Sequence, residues 1–290
     1  MTTVYPHTDS RPLERFAYWI SERDKIRLRR LKGQKPPYTD DPILQKYRFC
    51  NVRREDDRVT RWIAHNWRNT HIDEPSVWHA MLIARYINWP ATLGECGYPE
   101  PWAERRKEFA KRLSRWDTMG QQVFTGAYIV STNGAKIGKV EHVLQLFQRA
   151  HIALEGVMPA VRTCDEAYKA LRTVDGIGSF MAAQIVADVK YTDLLTEAPD
   201  WHTFVAPGPG SMRGLNRVLE YDLQTKWNFA EFASTMRYLK KTTARMVRWA
   251  ESLHLQDLQN CLCEFDKYER VLHGQGKPRS QYRPSLDPLP

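Results

Sequence analysis

Long apolar segments are missing from this sequence of 290 residues. A helix that crosses a bilayer needs about 20 consecutive apolar residues, and no run approaches that length, which excludes a membrane span. The N-terminal part alternates charged and aromatic side chains, unlike the apolar core of a secretory signal. We therefore expect a cytoplasmic protein.

Cysteine is also scarce. Five cysteines occur without regular spacing, and Cys261 and Cys263 form a C-x-C pair that no second pair completes. Structural zinc sites usually take four ligands from two such pairs, so we expect no metal site here. An odd number of irregularly placed cysteines is typical of reduced thiols in the cytosol.

A phosphate-binding P-loop is absent as well. The pattern GxxxxGK[ST] occurs nowhere, and the segment GAKIGKV lacks both its spacing and its hydroxyl residue. This absence disfavours a kinase of the P-loop class. The length and composition remain those of a globular protein with a well-buried core, in one large domain or two lobes.

What the sequence does have is basic charge together with aromatic rings. Lysine and arginine number 43 against 34 acidic residues, a net charge of +9, and ten tryptophans and thirteen tyrosines accompany them. Cations interleaved with aromatic residues suit a polyanion whose bases stack, such as a nucleic acid. Charge alone is equally compatible with a basic soluble protein that has no such partner.

Apolar residues recur at helical spacing along most of the chain. The predicted helices cover residues 11–31, 57–67, 75–88, 101–116, 139–154, 165–173, 179–190, 228–253 and 257–272. Residues 228–253 form either one long helix or two shorter ones. Only residues 123–140 have the character of strands, and Asn133 with Gly134 is suited to close a short hairpin. We therefore expect an all-α fold with at most one β-hairpin.

Two glycines interrupt the helical pattern in the segment DGIGSFMAAQI. Gly176, Ile177 and Gly178 separate one predicted helix from the next, which begins at Ser179. This is the layout of a helix-hairpin-helix motif over about residues 165–190, in which glycines let the backbone approach a DNA phosphate and the second helix offers unpaired N–H groups. A Gly-x-Gly junction is also common as plain packing.

The residues after the hairpin resemble those of helix-hairpin-helix DNA glycosylases. These enzymes have a catalytic aspartate at about the distance at which Asp200 follows Gly178. Phe180 stands where bifunctional glycosylases have a lysine, so lyase chemistry is not expected. The four-cysteine iron–sulfur cluster of some relatives is absent too.

A glycine-rich segment, GPGSMRGL, follows Asp200. Glycines that alternate with proline allow backbone N–H groups to form a nest, and an arginine beside it adds a fixed cation. Gly208, Gly210, Ser211 and Arg213 are therefore predicted to bind phosphate or pyrophosphate. The alternative interpretation is a simple structural turn.

Two further segments concentrate polar side chains. The segment FCNVRREDDRVT contains Asn51, Arg54 and Asp57, and the segment LCEFDKYER contains Glu264 and Lys267. Helical spacing places the charged groups of each segment on one face. Such faces are often solvated and held by ion pairs, and that interpretation stays open for each segment taken alone.

Taken in order, five motifs resemble a family of phage DNA-hypermodification enzymes. They are F-x-N-x-x-R-x-x-DRVT, VFTGAYIVS, DGIGSFMAAQI, GPGSMRGL and LCEFDKYER, and they extend over nearly the whole chain. The family includes the α-glutamyl/putrescinyl thymine pyrophosphorylases, also called amino acid:DNA transferases, and the helical domain of 5-hydroxymethyluracil DNA kinases is similar. The resemblance implies a two-lobed, helix-hairpin-helix DNA glycosylase-like fold, expected as one domain over residues 11–272 with flexible termini at 1–10 and 273–290.

The resemblance also implies a reaction. In this pathway 5-hydroxymethyluracil in DNA is phosphorylated, then carries a pyrophosphate on its 5-methylene, which an amine displaces. Catalysis needs cations and N–H donors around the leaving group, a carboxylate near the carbon and a base for the amine, on a base flipped out of the stack. The predicted catalytic residues are Asp200, at the carbon, together with Arg213 and Lys267. The predicted pyrophosphate ligands are Gly208, Gly210, Ser211, Arg213 and Lys267. The predicted base or amine pocket contains Asn51, Arg54, Asp57, Tyr128, Trp201 and Glu264.

The expected partners are double-stranded phage DNA with a modified thymine and an amine donor, glycine being favoured over other amino acids and polyamines. The sequence calls for no particular cofactor, although Mg²⁺ suits a pyrophosphate. The compartment is the cytoplasm of the infected bacterium. Two other functions stay open: a monofunctional helix-hairpin-helix DNA glycosylase, supported by Asp200, and a non-catalytic helical DNA-binding module.

Overall fold

The computed structural model describes residues 10–126, 134 and 136–284. Within these ranges the protein is all-α, as predicted, and its only β pairing is a bridge between Tyr47 and Gln281. The α-helices are α1 Pro12–Leu31, α2 Pro42–Lys46, α3 Arg58–Ile63, α4 Val77–Ile87, α5 Pro90–Cys96, α6 Trp102–Thr118, α7 Lys139–Leu154, α8 Cys164–Arg172, α9 Ser179–Val189, α10 Pro209–Val218, α11 Phe229–Met246 and α12 Leu255–Leu272. None of these helices is long and apolar enough to span a bilayer. Of the segment predicted to be strand-like, 123–140, the structure describes 123–126, 134 and 136–140. These described residues form no strand, and the last two begin α7; the rest of the predicted hairpin lies outside the described residues.

The chain divides into two compact units. The first joins Met1–Asp57 to Val205–Pro290 and contains α1, α2, α10, α11 and α12. The second is Arg58–Phe204 and contains α3 to α9. The single domain expected over residues 11–272 stays a prediction.

α1 and α12 form the centre of the first unit. Pro12 occupies the first turn of α1, where its missing N–H would have no helical partner. Phe16, Trp19 and Ile20 recur on one face and are fully buried, and the Phe16 ring lies 5.2 Å from that of Phe265 in α12. Burying each such side chain contributes about 1.5–3 kcal/mol, so this face anchors α1.

A buried ion pair also joins α1 to α12. Arg15 donates through Nε to Glu269 Oε1 at 2.8 Å and through Nη2 to Oε2 at 2.7 Å. Both side chains are more than nine-tenths buried. Because a bidentate pair sets orientation as well as distance, it determines how the polar residues further along the two helices face one another.

α10 crosses α12 at very short range. Gly210 and Gly214, one helical turn apart, face Cys263 and Leu262 of α12. A β-carbon at Gly214 would overlap the Leu262 carbonyl group, and one at Gly210 would lie 3.1 Å from Cys263 Sγ. Any side chain at Gly214 would therefore push the two helices apart.

α4 is the most deeply buried helix of the second unit, since all its residues from Val77 to Ile87 are buried. A helix that is apolar on every side packs against neighbours all around it, and α7 and α9 are among them. Its Arg85 donates through Nε and Nη2 to Asp188 of α9. Removing one partner of such a buried pair typically costs about 3–5 kcal/mol, so the pair fixes α9 on α4.

α8 and α9 have the predicted helix-hairpin-helix layout, with the turn at residues 173–178. α8 begins with a capping box in which Thr163 Oγ1 accepts the Glu166 N–H at 3.0 Å. The turn passes through Gly176, whose φ of +93° is unfavourable for residues with side chains. The further likeness to DNA glycosylases stays a prediction.

Three helices were not predicted, namely α2, α5 and α10. Each begins with a proline, Pro42, Pro90 or Pro209, a residue that is also typical of loops. Proline suits the first turn of a helix, because its N–H is not needed there. The predicted helix over 57–67 is divided by a π-helical turn at Ala64–Arg68. Over 228–253 the structure has the two shorter helices that the prediction allowed, α11 and a 3₁₀ turn at Arg248–Ser252.

Candidate functional site

Asn51 lies at the centre of a polar cluster in the first unit. Its side-chain oxygen accepts a hydrogen bond from Arg23 Nη2 at 2.7 Å, and its backbone N–H donates to Asp57 Oδ1 at 2.9 Å. Its side-chain amide donates to the Asp56 carbonyl at 2.7 Å. The loop 47–57 is thereby folded around its own asparagine and attached to α1.

α12 brings two more polar side chains to this loop. The Cys50 N–H donates to Glu264 Oε2 at 3.1 Å, and Lys267 Nζ donates to the other oxygen of the same carboxylate. The Glu264 side chain is 4% exposed and that of Lys267 39%, so the carboxylate is held inside while the lysine reaches solvent. We refer to Arg23, Asn51, Asp57, Glu264 and Lys267 as the Asn51 cluster.

Lys267 stays charged in this setting. Burial lowers its pKa, but the Glu264 carboxylate and its neighbours outweigh burial and leave the pKa above its ordinary value. The lysine therefore supplies a permanent cation at the edge of the cluster.

The pKa of Asp57 lies close to neutrality. Burial raises it to about 6, against the opposing effects of the Asn51 N–H and the Arg54 and Arg23 cations, and the Glu264 carboxylate raises it further. A carboxyl group with this pKa is mostly ionised at pH 7 and still accepts a proton readily. Asp57 is therefore suited to act as a general base.

Two guanidinium nitrogens, one within the cluster and one beside it, have no hydrogen-bond acceptor among the described residues. They are Nη1 of Arg23 and Nε of Arg54, and both atoms are buried. The backbone N–H of Arg54 is held by Asp257 Oδ1 at 3.0 Å. A buried donor without a partner costs about 1–3 kcal/mol, and more when it is charged. An anionic group of a ligand is a partner that would satisfy a nitrogen of this kind.

The segment predicted to form a backbone nest instead begins helix α10. Gly208 is its N-cap with an extended φ of −133°, and Gly210 lies in its first turn. Ser211 is fully buried, and its Oγ accepts the Gly208 N–H and donates to the Gly208 carbonyl, each at 3.1 Å. The local structure differs from the prediction because Pro209 starts a helix whose glycines lie against α12. Binding of pyrophosphate at this helix start stays a prediction.

Arg213 lies with two other arginines around one carboxylate. Asp266 accepts from Arg213 Nη2 at 3.0 Å and from Arg217 Nε at 2.9 Å, and Arg270 Nε lies 3.4 Å from it. The Arg213 side chain is 42% exposed and that of Asp266 only 1%. Three cations around one carboxylate leave an excess of positive charge, which favours an anion.

Asp200 belongs to the second unit, where its carboxylate holds the start of α8. Oδ1 accepts the Cys164 N–H at 2.8 Å, and Oδ2 accepts the Asp165 N–H at 3.0 Å. N–H groups in the first turn of a helix have no helical partner, and the helix dipole stabilises a negative charge placed beside them. The structure thus gives Asp200 a part in stability, while its action at a reacting carbon stays a prediction.

Trp201 is held against the end of α9. Its Nε1 donates to the Lys190 carbonyl, and Lys190 Nζ donates back to the Trp201 carbonyl at 3.1 Å. The same ammonium lies 4.6 Å from the centre of the indole ring, at cation–π distance. Tyr128, the other residue predicted to stack on a flipped base, lies outside the described residues.

The two hairpin glycines have different surroundings. A β-carbon at Gly176 would overlap Leu146 Cδ1, and the next residue, Ile177, is buried. Gly178 is exposed with an ordinary φ of −75°, and nothing lies within 4 Å of where its β-carbon would be. Gly176 is therefore required by packing, whereas Gly178 and the half-buried Ser179 leave the start of α9 open.

Sequence reasoning missed Arg23. A signal was present, because Arg23 occupies the next position in the stripe formed by Phe16, Trp19 and Ile20, where an apolar residue is expected. A cation on the buried face of a helix needs a partner inside the fold. The many other cations of α1 concealed this position among apparently solvated ones.

The predicted site residues thus fall into separate groups. Asn51, Asp57, Glu264 and Lys267 share one cluster with Arg54 beside it, and Arg213 pairs with Asp266 elsewhere in the first unit. The residues of the second unit are Asp200, Trp201 and the hairpin. The part of the chain that the structure describes contains no group of three His, Cys, Asp or Glu placed to hold a metal ion.

Comparison with known proteins assigns a relationship to most of the chain. Residues 10–278 match the family model described as 5-hmdU DNA kinase, helical domain. The chain is also similar to a 5-hmdU DNA kinase of Bacillus phage SP10, with 27% identity over 227 residues, or 70% of this chain and 36% of the relative. It therefore spans little more than a third of that relative's length. No solved structure matches.

Proposed function

Since the chain belongs to the family of 5-hmdU DNA kinase helical domains, we propose that it acts in thymine hypermodification, on phage DNA with bases derived from 5-hydroxymethyluracil. We propose further that it is a transferase, which joins an amine to the 5-methylene of the pyrophosphorylated base. Kinase activity is no part of this proposal, because the similarity covers 36% of the SP10 protein.

The proposed reaction exchanges two bonds at one carbon. The C–O bond between the 5-methylene and pyrophosphate breaks, and pyrophosphate leaves with the electron pair. The lone pair of the amine nitrogen forms the new C–N bond, and one amine proton goes to a base. Catalysis therefore requires a proton acceptor for the amine and cations for the leaving group.

The observation that carries the proposal is the geometry of the Asn51 cluster, in which the Asn51 N–H holds the Asp57 carboxylate at 2.9 Å and Arg23 binds the Asn51 side chain. Burial in this cluster raises the pKa of Asp57 to about 6. The α-amino group of a free amino acid is more basic than a peptide N-terminus, whose pKa is about 7.7–8.0, and it is protonated at neutral pH. Asp57 pairs with this ammonium and accepts one proton from it before the C–N bond forms, which frees the nitrogen lone pair for attack. The secondary ammonium formed by the attack then loses a second proton to solvent. Asn51 orients Asp57 through its N–H, and Glu264 adds a second negative charge.

Arg23 and Arg54 favour an amino acid over a polyamine as the donor. Their buried nitrogens without acceptors suit the carboxylate of an amino acid, in a charge-assisted hydrogen bond. A polyamine has no group that accepts from them. Glycine is the first donor to test, because a side chain would need additional space in a half-buried cluster.

We assign the leaving pyrophosphate to α10 and α12. Arg213 and Lys267 are partly exposed cations, and the start of α10 offers N–H groups that favour an anion. Gly208 and Gly210 form that start, and the buried Ser211 holds its conformation. Mg²⁺ accompanies the pyrophosphate in this proposal, so EDTA should slow the reaction.

DNA is assigned to the hairpin of the second unit. Gly178 and Ser179 at the open start of α9 contact a backbone phosphate, with Gly176 and Ile177 supporting the turn. Trp201 and Tyr128 stay the predicted stacking partners of the flipped base, and the predicted action of Asp200 at the reacting carbon is tested by Asp200→Asn. The setting is the cytoplasm of the infected bacterium.

The test is mass spectrometry of nucleosides from pyrophosphorylated 5-hydroxymethyluracil DNA, treated with this protein and a mixture of amino acids and polyamines. We expect an amino acid adduct together with an equal amount of pyrophosphate. Asp57→Asn should slow the reaction by about 10²–10⁴, the usual contribution of a general base. The matched control is Asp117→Asn, at an exposed aspartate of α6, which should leave the rate unchanged.

A non-catalytic DNA-binding module is the second candidate, because the SP10 relative is a kinase and this chain matches only part of it. Intact DNA binding without an adduct from any donor would favour the module. A monofunctional glycosylase would release the free base. It would be favoured if this release is lost in Asp200→Asn and kept in Asp57→Asn. Polyamine adducts alone would contradict the assignment of Arg23 and Arg54.

A further inference from the structure

α11 has a row of exposed cations. Arg237, Lys241 and Arg245 are spaced four residues apart, and Arg248 follows in the 3₁₀ turn after the helix. Residues at this spacing lie on one face of a helix, so the three side chains of α11 form a line, and Arg248 continues the run of cations along the chain. We call these four residues the α11 stripe.

Acidic residues flank the α11 stripe but do not interrupt it, since Glu231 precedes it in the first turn of α11 and Glu251 follows it in the 3₁₀ turn. Residues 232–250 contain five lysines and arginines and neither aspartate nor glutamate. The structure, over the residues it describes, gives none of the four stripe cations an ion pair or a side-chain hydrogen bond. In α1, by contrast, Arg15 pairs with Glu269 and Arg29 with Glu22. The α11 stripe is therefore available to an anion from outside the chain.

The rest of α11 supports a fixed surface. Phe232, Met236 and Leu239 on the opposite face are buried and hold the helix in the core of the first unit. Tyr238 lies beside the cations and is 64% exposed. An exposed tyrosine at such a place packs against a sugar and donates its hydroxyl to a phosphate.

We propose that the α11 stripe binds the phosphate backbone of double-stranded DNA. α11 ends at Met246, and from Arg237 to Arg245 it rises about 12 Å, at about 1.5 Å per residue. The phosphates of one strand follow one another about every 3.4 Å along the duplex, so these three cations span about four of them. A line of cations complements a line of phosphates better than it complements a single small anion.

An acidic protein is a poorer match for this face. Specific protein interfaces have an apolar core from which charged residues are depleted, whereas cations dominate the α11 stripe. The inference rests on the proposed function in one respect, that DNA is the partner. It depends neither on a modified base nor on amine transfer, because backbone contacts are independent of base identity.

The test compares two triple variants of the full chain in binding a short unmodified duplex at several salt concentrations. The first variant combines Arg237→Gln, Lys241→Gln and Arg245→Gln. The second combines Lys107→Gln, Lys111→Gln and Arg115→Gln, at exposed positions of α6 that have the same spacing but Glu104 and Glu108 among them. Both variants lose the same charge, so an effect of net charge alone would be equal in the two.

We expect the slope of log K against log salt to fall by about 2–3 in the α11 variant, since each phosphate contact contributes about 0.9. Affinity at low salt should fall by about tenfold or more. The slope of the α6 variant should change by less than about 1. Equal losses in the two variants, or an unchanged slope in the α11 variant, would overturn the proposal. Tighter binding of poly-glutamate than of the duplex would do so as well.

Two further measurements separate this proposal from folding and from amine transfer. If circular dichroism shows that the α11 triple variant is unfolded, the single Lys241→Gln variant should still lower the slope by about 0.9, and an unchanged slope would overturn the proposal. At saturating DNA, the α11 variant should form the amine adduct as the unaltered protein does. The unaltered protein could also bind DNA and yet form no amine adduct, while the α11 variant still shows the lower salt slope. That result would reject the proposed function and leave the α11 proposal standing.

Discussion

In the first unit, the glycines at the start of α10 lie against α12, while Arg23 and Arg54 beside the Asn51 cluster keep nitrogens without acceptors. In the second unit, Gly178 at the start of α9 faces open space, while both oxygens of Asp200 accept helix N–H groups. The starts of α10 and α9 thus use glycine in opposite ways, one packed against a helix and the other open. Among the described residues, the buried side-chain atoms without a hydrogen-bond partner lie in the first unit.

The difference shows that a residue type alone does not determine its use. A glycine matters for packing when its missing β-carbon lets two backbones meet, and for recognition when the space beside it is open. A polar group that the fold satisfies completely stabilises the fold, whereas a buried polar group that is left unsatisfied indicates a ligand. Four measurements test this contrast.

The largest effect is expected at the packed glycines of the first unit. In Gly214→Ala the new β-carbon overlaps the Leu262 carbonyl, a backbone group that cannot move without separating α10 from α12. Overpacking of this kind should lower the free energy of unfolding by about 3 kcal/mol or more. Urea denaturation measures it, with Gly138→Ala as the control, because no atom lies within 4 Å of that position. A loss as small as that of the control would show that α10 and α12 are not in tight contact.

The hairpin glycines should differ from each other. Gly176→Ala forces a side chain into a positive φ and against Leu146, and should cost about 2 kcal/mol of unfolding free energy. Gly178→Ala has open space and should change that free energy by less than about 0.5 kcal/mol. Thermal unfolding measures both. Equal losses in the two variants would remove the distinction between a packed and an open glycine.

The third measurement uses the pKa of Asp57, raised from its ordinary value of 3.8 to about 6. Because the folded state holds this proton more tightly than the unfolded state, the stability that the group contributes is complete below about pH 4 and is lost as the pH rises through about 6. Asp57→Asn escapes that loss. We compare the unfolding free energy of Asp57→Asn with that of the unaltered protein at each pH. The difference should shift in favour of the variant's stability by about 1–2 kcal/mol between pH 4 and pH 8. A pH-independent difference, by urea denaturation, would contradict the raised pKa.

The smallest effect is expected at Asp200. Asp200→Asn keeps one acceptor oxygen but presents an amide to the other N–H of α8, which should cost about 1 kcal/mol of unfolding free energy. Thermal unfolding measures this cost against the exposed Asp117→Asn. If the two variants are equally stable, the carboxylate does not hold the start of α8.

Local patterns predicted the helices well where an apolar stripe continues for several turns. The stripe of Phe16, Trp19 and Ile20 gives α1 its buried face, and it needs no information from the rest of the chain. The same reasoning failed at α10, because the glycines and the proline of its first turns are also typical of a loop. Their helical state depends on α12, which packs against them from a distant part of the sequence.

The candidate site was predicted only in part for the same reason. The sequence marked Asn51, Asp57, Glu264 and Lys267 as polar clusters, yet it contained nothing that joined one cluster to the other. Arg23 was missed because its partner Asn51 lies 28 residues further along the chain. Such partners are identified by proximity in the fold, which local periodicity does not contain.

By itself the sequence determined the helical class, the basic charge and the Gly-x-Gly turn between α8 and α9. These features follow from composition and from patterns of a few residues. Only the tertiary structure decided which glycines are packed and which carboxylate titrates near neutrality. The Cys50 N–H and the Glu264 carboxylate are separated by 214 residues, yet they lie 3.1 Å apart. Burial, and with it the pKa of Asp57, arises from contacts of that kind, because the dielectric surroundings of a group depend on everything packed around it.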